Sequence, residues 1–228
     1  MSFIGNGRNL MNKLAVLAIA SLLLAPSNAT TSSAAEPRSD SSVQVGMLLV
    51  ASESMNDPRF VETVILIVQH DAQGTIGLIT NKPSDIPITH ALPMLKRLPE
   101  GAEYVYFGGP VQFRSMMSLL MRSEREPEGA VRVFDNVYAT SGYNNVGRLV
   151  SMAREPDEVR TFGGYTGWAP GQLDAEISRG GWRVFEADAK AVFAPDPAGI
   201  WRDYMEESGG SWDWVMLNQP RHGPSRRG

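Results

Sequence analysis

Between Gly163 and Trp182 the chain reads Gly-Gly-Tyr-Thr-Gly-Trp-Ala-Pro-Gly-Gln-Leu-Asp-Ala-Glu-Ile-Ser-Arg-Gly-Gly-Trp, and no other stretch restricts the backbone as tightly. Gly163, Gly164 and Gly167 permit a positive φ or a backbone approach that a side chain would block. Pro170 stands where a helix can begin, since its missing N–H is one of the orphans of a first turn. Leu173 and Ile177, with Gln172 and Glu176 beside them, follow i, i+4 spacing and predict a short amphipathic helix. Gly180-Gly181 ends it and Trp182 opens the next element. The stretch therefore reads as a strand end, a tight glycine turn and a short helix, closed by two tryptophans.

The elements around this stretch are read from hydrophobic pattern. Val43–Ala51 is a buried strand. Glu62–His70, dense in β-branched residues, is the strongest strand in the chain, and Asp71-Ala72-Gln73-Gly74 turns it into Thr75–Thr80. Asn81-Lys82-Pro83 ends that hairpin. His90–Leu98 reads as a helix with Ala91, Met94 and Leu95 on one face. Glu103–Phe107, Ser115–Arg122, Val131–Thr140, Val159–Gly163 and Trp182–Glu186 are further strands, and Asn145–Arg154 and Pro197–Met205 further helices. Strands come in hairpins with helices placed irregularly, which favours an α+β fold over a doubly wound sheet.

Three blocks in order resemble the YqgE/AlgH family of bacterial proteins. The first is Gly46-Met47-Leu48-Leu49-Val50-Ala51, with Met55, Asp57-Pro58, Phe60, Val64, His70, Gly74, Gly77-Leu78-Ile79 and Asn81-Lys82-Pro83. The second is Phe107-Gly108-Gly109-Pro110-Val111. The third is Gly-Tyr-x-Gly-Trp-x-x-Gly-Gln-Leu-x-x-Glu-Ile with Trp182. The resemblance covers roughly residues 43–205. It implies an α+β fold in which a curled antiparallel or mixed sheet forms a small barrel-like core with helices around it. It implies no reaction, because the family has no established molecular activity, although its members carry the label of transcriptional regulators. The sequence departs from the family at Leu120-Met121-Arg122, about where members often have Leu-His, which weakens an enzymatic reading.

Three regions are expected: residues 1–42 as leader and linker, 43–206 as the α+β domain and 207–228 as a tail. Lys13 precedes a mostly apolar run, Leu14–Ala25, too short for a membrane-spanning helix, which needs about 20 residues. Small-residue sites follow at Ser27-Asn28-Ala29 and Ser33-Ala34-Ala35, so the segment reads as an export leader with a periplasmic destination, with Met11 as an alternative start. The other reading is an unprocessed apolar leader on a cytoplasmic protein, the compartment the resemblance implies. In the tail, Trp212 and Trp214 are candidates to pack back on the domain, and Arg221, Arg226 and Arg227 read as a solubilising end.

Composition narrows the chemistry. The 228 residues include no cysteine, which excludes disulfides, thiolate nucleophiles and Cys-ligated zinc. His70, His90 and His222 are too scattered to suggest a metal motif. Net charge is −4, and there is no basic stripe or helix-turn-helix pattern, so direct nucleic-acid binding is not expected. The glycines at 74–77 and 108–109 continue into neither a Walker nor a dinucleotide pattern, and no cofactor is expected.

The candidate binding residues are His70, Asn81, Gly108, Gly109, Tyr165, Gly167, Trp168, Gly171 and Gln172. His70-Asp71 ends a core strand, where a general base could be displayed, or where a hydrogen bond and an Asp would merely build the turn. Asn81 could meet a ligand or make the turn before Pro83. Tyr165, Trp168 and Gln172 surround a glycine turn at a helix start, suited to a partner or small ligand if the aromatics are exposed; otherwise Gln172 caps the turn and Trp168 belongs to the core. Glu176 is expected to pair with Arg179 on the helix surface. The leading expectation is a non-enzymatic protein that binds a protein or small-molecule partner. The alternative is a hydrolase-type enzyme using His70, Asp71 and the turn near Trp168.

Overall fold

The computed structural model describes residues 43–99 and 101–207. The leader expected at 1–42 and the tail from 208 onward, with Trp212, Trp214 and the terminal arginines, lie outside the described residues.

The β-branched segments near the start form the first sheet. β1 (Met47–Ala51), β2 (Val64–Asp71) and β3 (Gly74–Ile79) pair antiparallel, with Leu48 opposite Leu66 and Leu66 opposite Leu78. Side chains alternate across a strand, so the two faces sort by parity. Leu48, Val50, Val64, Leu66 and Leu78 enter one core, whereas Leu49, Ala51, Ile65, Ile67 and Ile79 enter another with Trp168, Leu173 and Trp182. This sheet is buried on both faces, which explains why its strands are apolar runs and not clean alternations.

The second sheet is mixed. β4 (Pro83–Pro87), β5 (Tyr104–Phe107), β6 (Met117–Arg122), β7 (Val131–Phe134), β8 (Val137–Ser141) and β9 (Glu158–Gly163) run in the order β4-β5-β9-β6-β8-β7, with β5 and β9 parallel. Its inner residues Tyr106, Leu120, Val137 and Phe162 share the core of Leu48 and Leu66. Its outer residues Val105, Leu119, Met121 and Val159 are covered by α1 (Ile88–Ala91) and by Val146, Leu149 and Val150 of α2 (Tyr143–Met152).

The rest completes the first sheet. β10 (Thr166–Trp168) joins the free edge of β3 and β11 (Trp182–Glu186) that of β1, with α3 (Gln172–Ser178) between them. α4 (Ala189–Val192) and α5 (Ile200–Glu207) close one side of the shared core, Ile200, Trp201 and Tyr204 packing at the expected spacing. Trp201 Nε1 donates to the Ala51 carbonyl at 2.7 Å. The α+β class expected from the sequence is the one observed. Among the described residues the strands pair as two curled sheets and not as one closed barrel.

Several elements differ from their sequence expectation. The helix expected over His90–Leu98 is a single turn, Ile88–Ala91, and Met94 is 68% exposed. Pro93 is the cause, since it lacks the N–H and clashes with the preceding turn. Val131–Thr140 is a hairpin and not one strand: Asp135 takes φ 38° and Phe134 pairs with Val137. Pro83 begins an edge strand, where a missing donor is tolerated. Gly46, at φ 86°, delays β1 to Met47. Met152, the last residue of α2, is exposed.

Candidate functional site

The glycine motifs meet where the chain passes from one sheet to the other. β9 ends at Gly163 and the chain enters β10 through Gly164 and Tyr165, beside the Gly108-Gly109 turn that follows β5. Gly108 N donates to Gly163 O at 2.9 Å, Gly108 O accepts from Ile79 N at 3.0 Å, and Val111 and Tyr165 exchange two bonds of 3.0 Å. The backbones lie so close that a Cβ on Gly109 would stand 2.3 Å from the Tyr165 carbonyl, and one on Gly164 2.4 Å from the Gly109 oxygen. These glycines fasten the two sheets together. Tyr165 itself is 4% exposed, and burial raises its phenol above the usual range.

The tryptophans of the same motif are held by one carboxylate. Glu176 Oε2 accepts from both Trp168 Nε1 and Trp182 Nε1 at 2.9 Å, and Oε1 accepts from Gln172 Nε2 at 2.9 Å. Gln172 Oε1 in turn accepts from Ala169 N at 3.1 Å, capping the turn. The indoles pack edge to face at 6.0 Å, with Phe60 against Trp182 at 5.8 Å. Glu176 is thus a latch between two indole N–H groups and not the surface partner of Arg179. The helix begins at Gln172, after Gly171 adopts φ 74°, instead of at Pro170. Trp168 is 3% exposed, so no exposed aromatic patch stands at this turn.

The other candidates are placed along the first sheet. His70, Thr75 and Trp168 are neighbours across three strands, with Gly167 paired to Ile76. His70 Nδ1 lies 2.7 Å from Thr75 Oγ1, and Asp71 accepts from Gln69 Nε2 and Gln73 N at 2.8 Å each. Asn81 sits at the opposite end of β3, buried: Oδ1 accepts from Val64 N and Nδ2 donates to Glu62 O, both at 2.8 Å. Asn81 therefore ties the end of β3 to the start of β2. Each of these polar groups has an intramolecular partner. Among the described residues no three of His, Asp and Glu are grouped to hold a metal ion.

A cleft of about 770 Å³ lies elsewhere, between the N-terminal end of β9, the C-terminal end of α2, and residues 97–99 with Gly101. Its walls include Arg97, Arg154, Tyr106, Phe193 and Pro195, and Arg160 of β9. Arg160 is 6% exposed, with its guanidinium 4.8 Å from the Tyr106 ring and 5.9 Å from that of Phe193. It donates to the carbonyls of Val192 (2.7 Å) and Ala194, with a longer contact to Thr80 (3.5 Å). Desolvation lowers its pKa from the usual arginine value, and a guanidinium is basic enough to stay charged in a protein all the same. Sequence reasoning passed over it, although an arginine inside Val159-Arg160-Thr161-Phe162, in an otherwise apolar strand, was the available signal.

A family model described as AlgH-like matches residues 48–213. The chain belongs to the AlgH-like family. A UPF0301 protein of Chlorobaculum tepidum is 32% identical over 176 residues, 77% of this chain and 91% of that one. A UPF0301 protein of Cereibacter sphaeroides is 32% identical over 168 residues, 72% of this chain and 91% of that one. The solution structure of the AlgH protein of Pseudomonas aeruginosa matches with a TM-score of 0.58 at 27% identity, covering 78% of this chain and 95% of that one. A crystal structure of a Corynebacterium diphtheriae protein matches with a TM-score of 0.61 at 27% identity, covering 71% and 85%. The AlgH-like match begins inside β1 and includes the sheet crossover, the Glu176 latch and the Arg160 cleft.

Proposed function

We propose that this AlgH-like chain is a non-catalytic binding protein whose binding surface is the cleft beside Arg160. The observation that carries the reading is the contrast between the two regions. At the glycine crossover and the indole latch, polar side chains are spent on intramolecular bonds and the aromatics are buried. In the cleft, a ligand-sized volume is bordered by three arginines, none of which has a carboxylate within ion-pair distance among the described residues. A regulatory role fits a protein that recognises a small molecule or another protein without touching nucleic acid, in keeping with its net charge of −4. The test is a fragment screen on the full chain read by backbone-amide shifts. Shifts grouped around Arg97, Arg154 and Phe193 are expected, and a screen that leaves those amides still would refute the reading.

One observation favours a hydrolase instead: the imidazole of His70 lies 2.7 Å from the Thr75 hydroxyl, within general-base reach. Thr75 is only 3% exposed, however, which shields that oxygen from a substrate. Ester hydrolysis no faster than the buffer blank is expected from the wild type, whereas a rate lost in His70→Ala would establish the enzyme.

We read the leader as an export signal that carries the domain, taken as residues 43–206, to the periplasm. Among the described residues no helix is long and apolar enough to cross a membrane. Intact mass in the native host decides the point: a chain starting near Thr30 or Glu36 in the exported fraction supports export, and a full-length or Met11-start chain in the cytosol overturns it.

A further inference from the structure

We propose that Arg160 is the anion-recognition residue of the cleft, and that the ligand is a small organic monocarboxylate with an aromatic or other flat body; this rests on the cleft being the binding surface. The argument begins with charge. The partners of Arg160 are neutral carbonyls, which satisfy N–H groups but leave the positive charge uncompensated. Besides the Tyr106 phenol, the acid acting on it is the carboxylate of Glu158, whose Oε2 is already 2.8 Å from Arg122. A buried ion lacking a counter-charge and set in the wall of an open cleft is a place where a ligand anion gains more than it would in water.

The neighbours narrow the class. Tyr106 and Phe193 flank the guanidinium and also line the cleft, so a ligand reaching Arg160 lies against aromatic surface. Glu155, Asp157 and Glu158 border the same cleft. With Glu158 paired to Arg122, the carboxylates of Glu155 and Asp157 oppose a dianion such as phosphate, and one buried arginine matches one negative charge. Exposed Arg97 and Arg154 on the rim offset the acids and draw a monoanion inward.

The test titrates the full chain with benzoate, benzamide and inorganic phosphate, reading the Arg160 Nε–Hε resonance and nearby amides. Benzoate is expected to give saturable shifts at Arg160, Tyr106 and Phe193, and benzamide and phosphate at most weak, unsaturated ones. Arg154→Glu, an exposed rim change, is expected to weaken benzoate roughly fivefold without altering the fold. Arg160→Gln, checked for folding by circular dichroism, is expected to abolish saturable binding, and Arg160→Lys to restore part of it. Benzamide binding as well as benzoate would overturn carboxylate recognition while leaving the cleft as the binding surface. Preferred binding of phosphate would overturn the monocarboxylate class. No shift with any probe overturns the proposal, and the fragment screen then decides separately whether the cleft binds anything.

Discussion

At Glu176 one carboxylate takes hydrogen bonds from two indoles and an amide, a role that its sequence neighbours do not advertise. Read from spacing alone, Glu176 faces Arg179 at i, i+3, and nothing local says that Trp182 returns to it across a turn. Trp168 and Trp182 are both buried, so Glu176→Ala leaves two indole N–H groups without their acceptor. The expected loss is about 1–3 kcal/mol in denaturant unfolding followed by tryptophan fluorescence. Glu176→Gln keeps an acceptor for the indoles and is expected to lose less. Tyr165 carries a second residue-scale prediction. Below a pH of about 10, the ordinary tyrosine value, its phenol is neutral folded or unfolded. Above that the unfolded chain releases the proton first, because burial raises the folded value, so stability falls as pH rises. Tyr165→Phe is expected to flatten this alkaline decline in a series of unfolding midpoints, and an unchanged slope would argue against the shift.

Among the elements, the sheet crossover and the helix start make opposite demands on glycine. Gly109→Ala puts a Cβ into the Tyr165 carbonyl and is expected to cost more than about 3 kcal/mol, or to prevent folding. Gly171→Ala meets nothing within 4 Å at φ 74°, so only the left-handed backbone penalty of about 1–2 kcal/mol is expected. Equal losses in thermal unfolding would contradict this division. How legible the elements were follows from the same physics. β1, β2 and β3 announce themselves through β-branched residues that must be buried on both faces. β10 does not, because three residues next to glycines carry too little pattern, and its pairing with β3 is a tertiary event. The short α1 was knowable from Pro93, and the β7–β8 turn from Asp135-Asn136. The glycines were visibly constrained, but whether they bring a ligand or another backbone close depends on which segment lies opposite. The candidate site was legible as a list of unusual residues and not as a place: the motif marks where the fold is fastened, while the cleft is assembled from Arg97, from Arg154 and Arg160, and from Phe193, three separate segments that carry no motif.

Across the whole molecule, two sheets share one core, and the same strand serves both ends of the account. β9 ends in the glycines that fasten the sheets, and near its start it carries Arg160, which reaches the carbonyls of Val192, the last residue of α4, and of Ala194 beyond it, and borders the cleft. In the proposed reading, what holds the AlgH-like domain together is separate from the cleft that would meet a partner. That separation is tested most directly by mapping, on the full chain, which backbone amides move as benzoate is added. Saturable shifts at 97–99, 154–160 and 193–194 are predicted, with His70, Asn81, Gly108, Gly109 and the 165–176 segment unmoved. Saturable shifts centred on His70 or on the turn at Trp168, with the cleft silent, would contradict it.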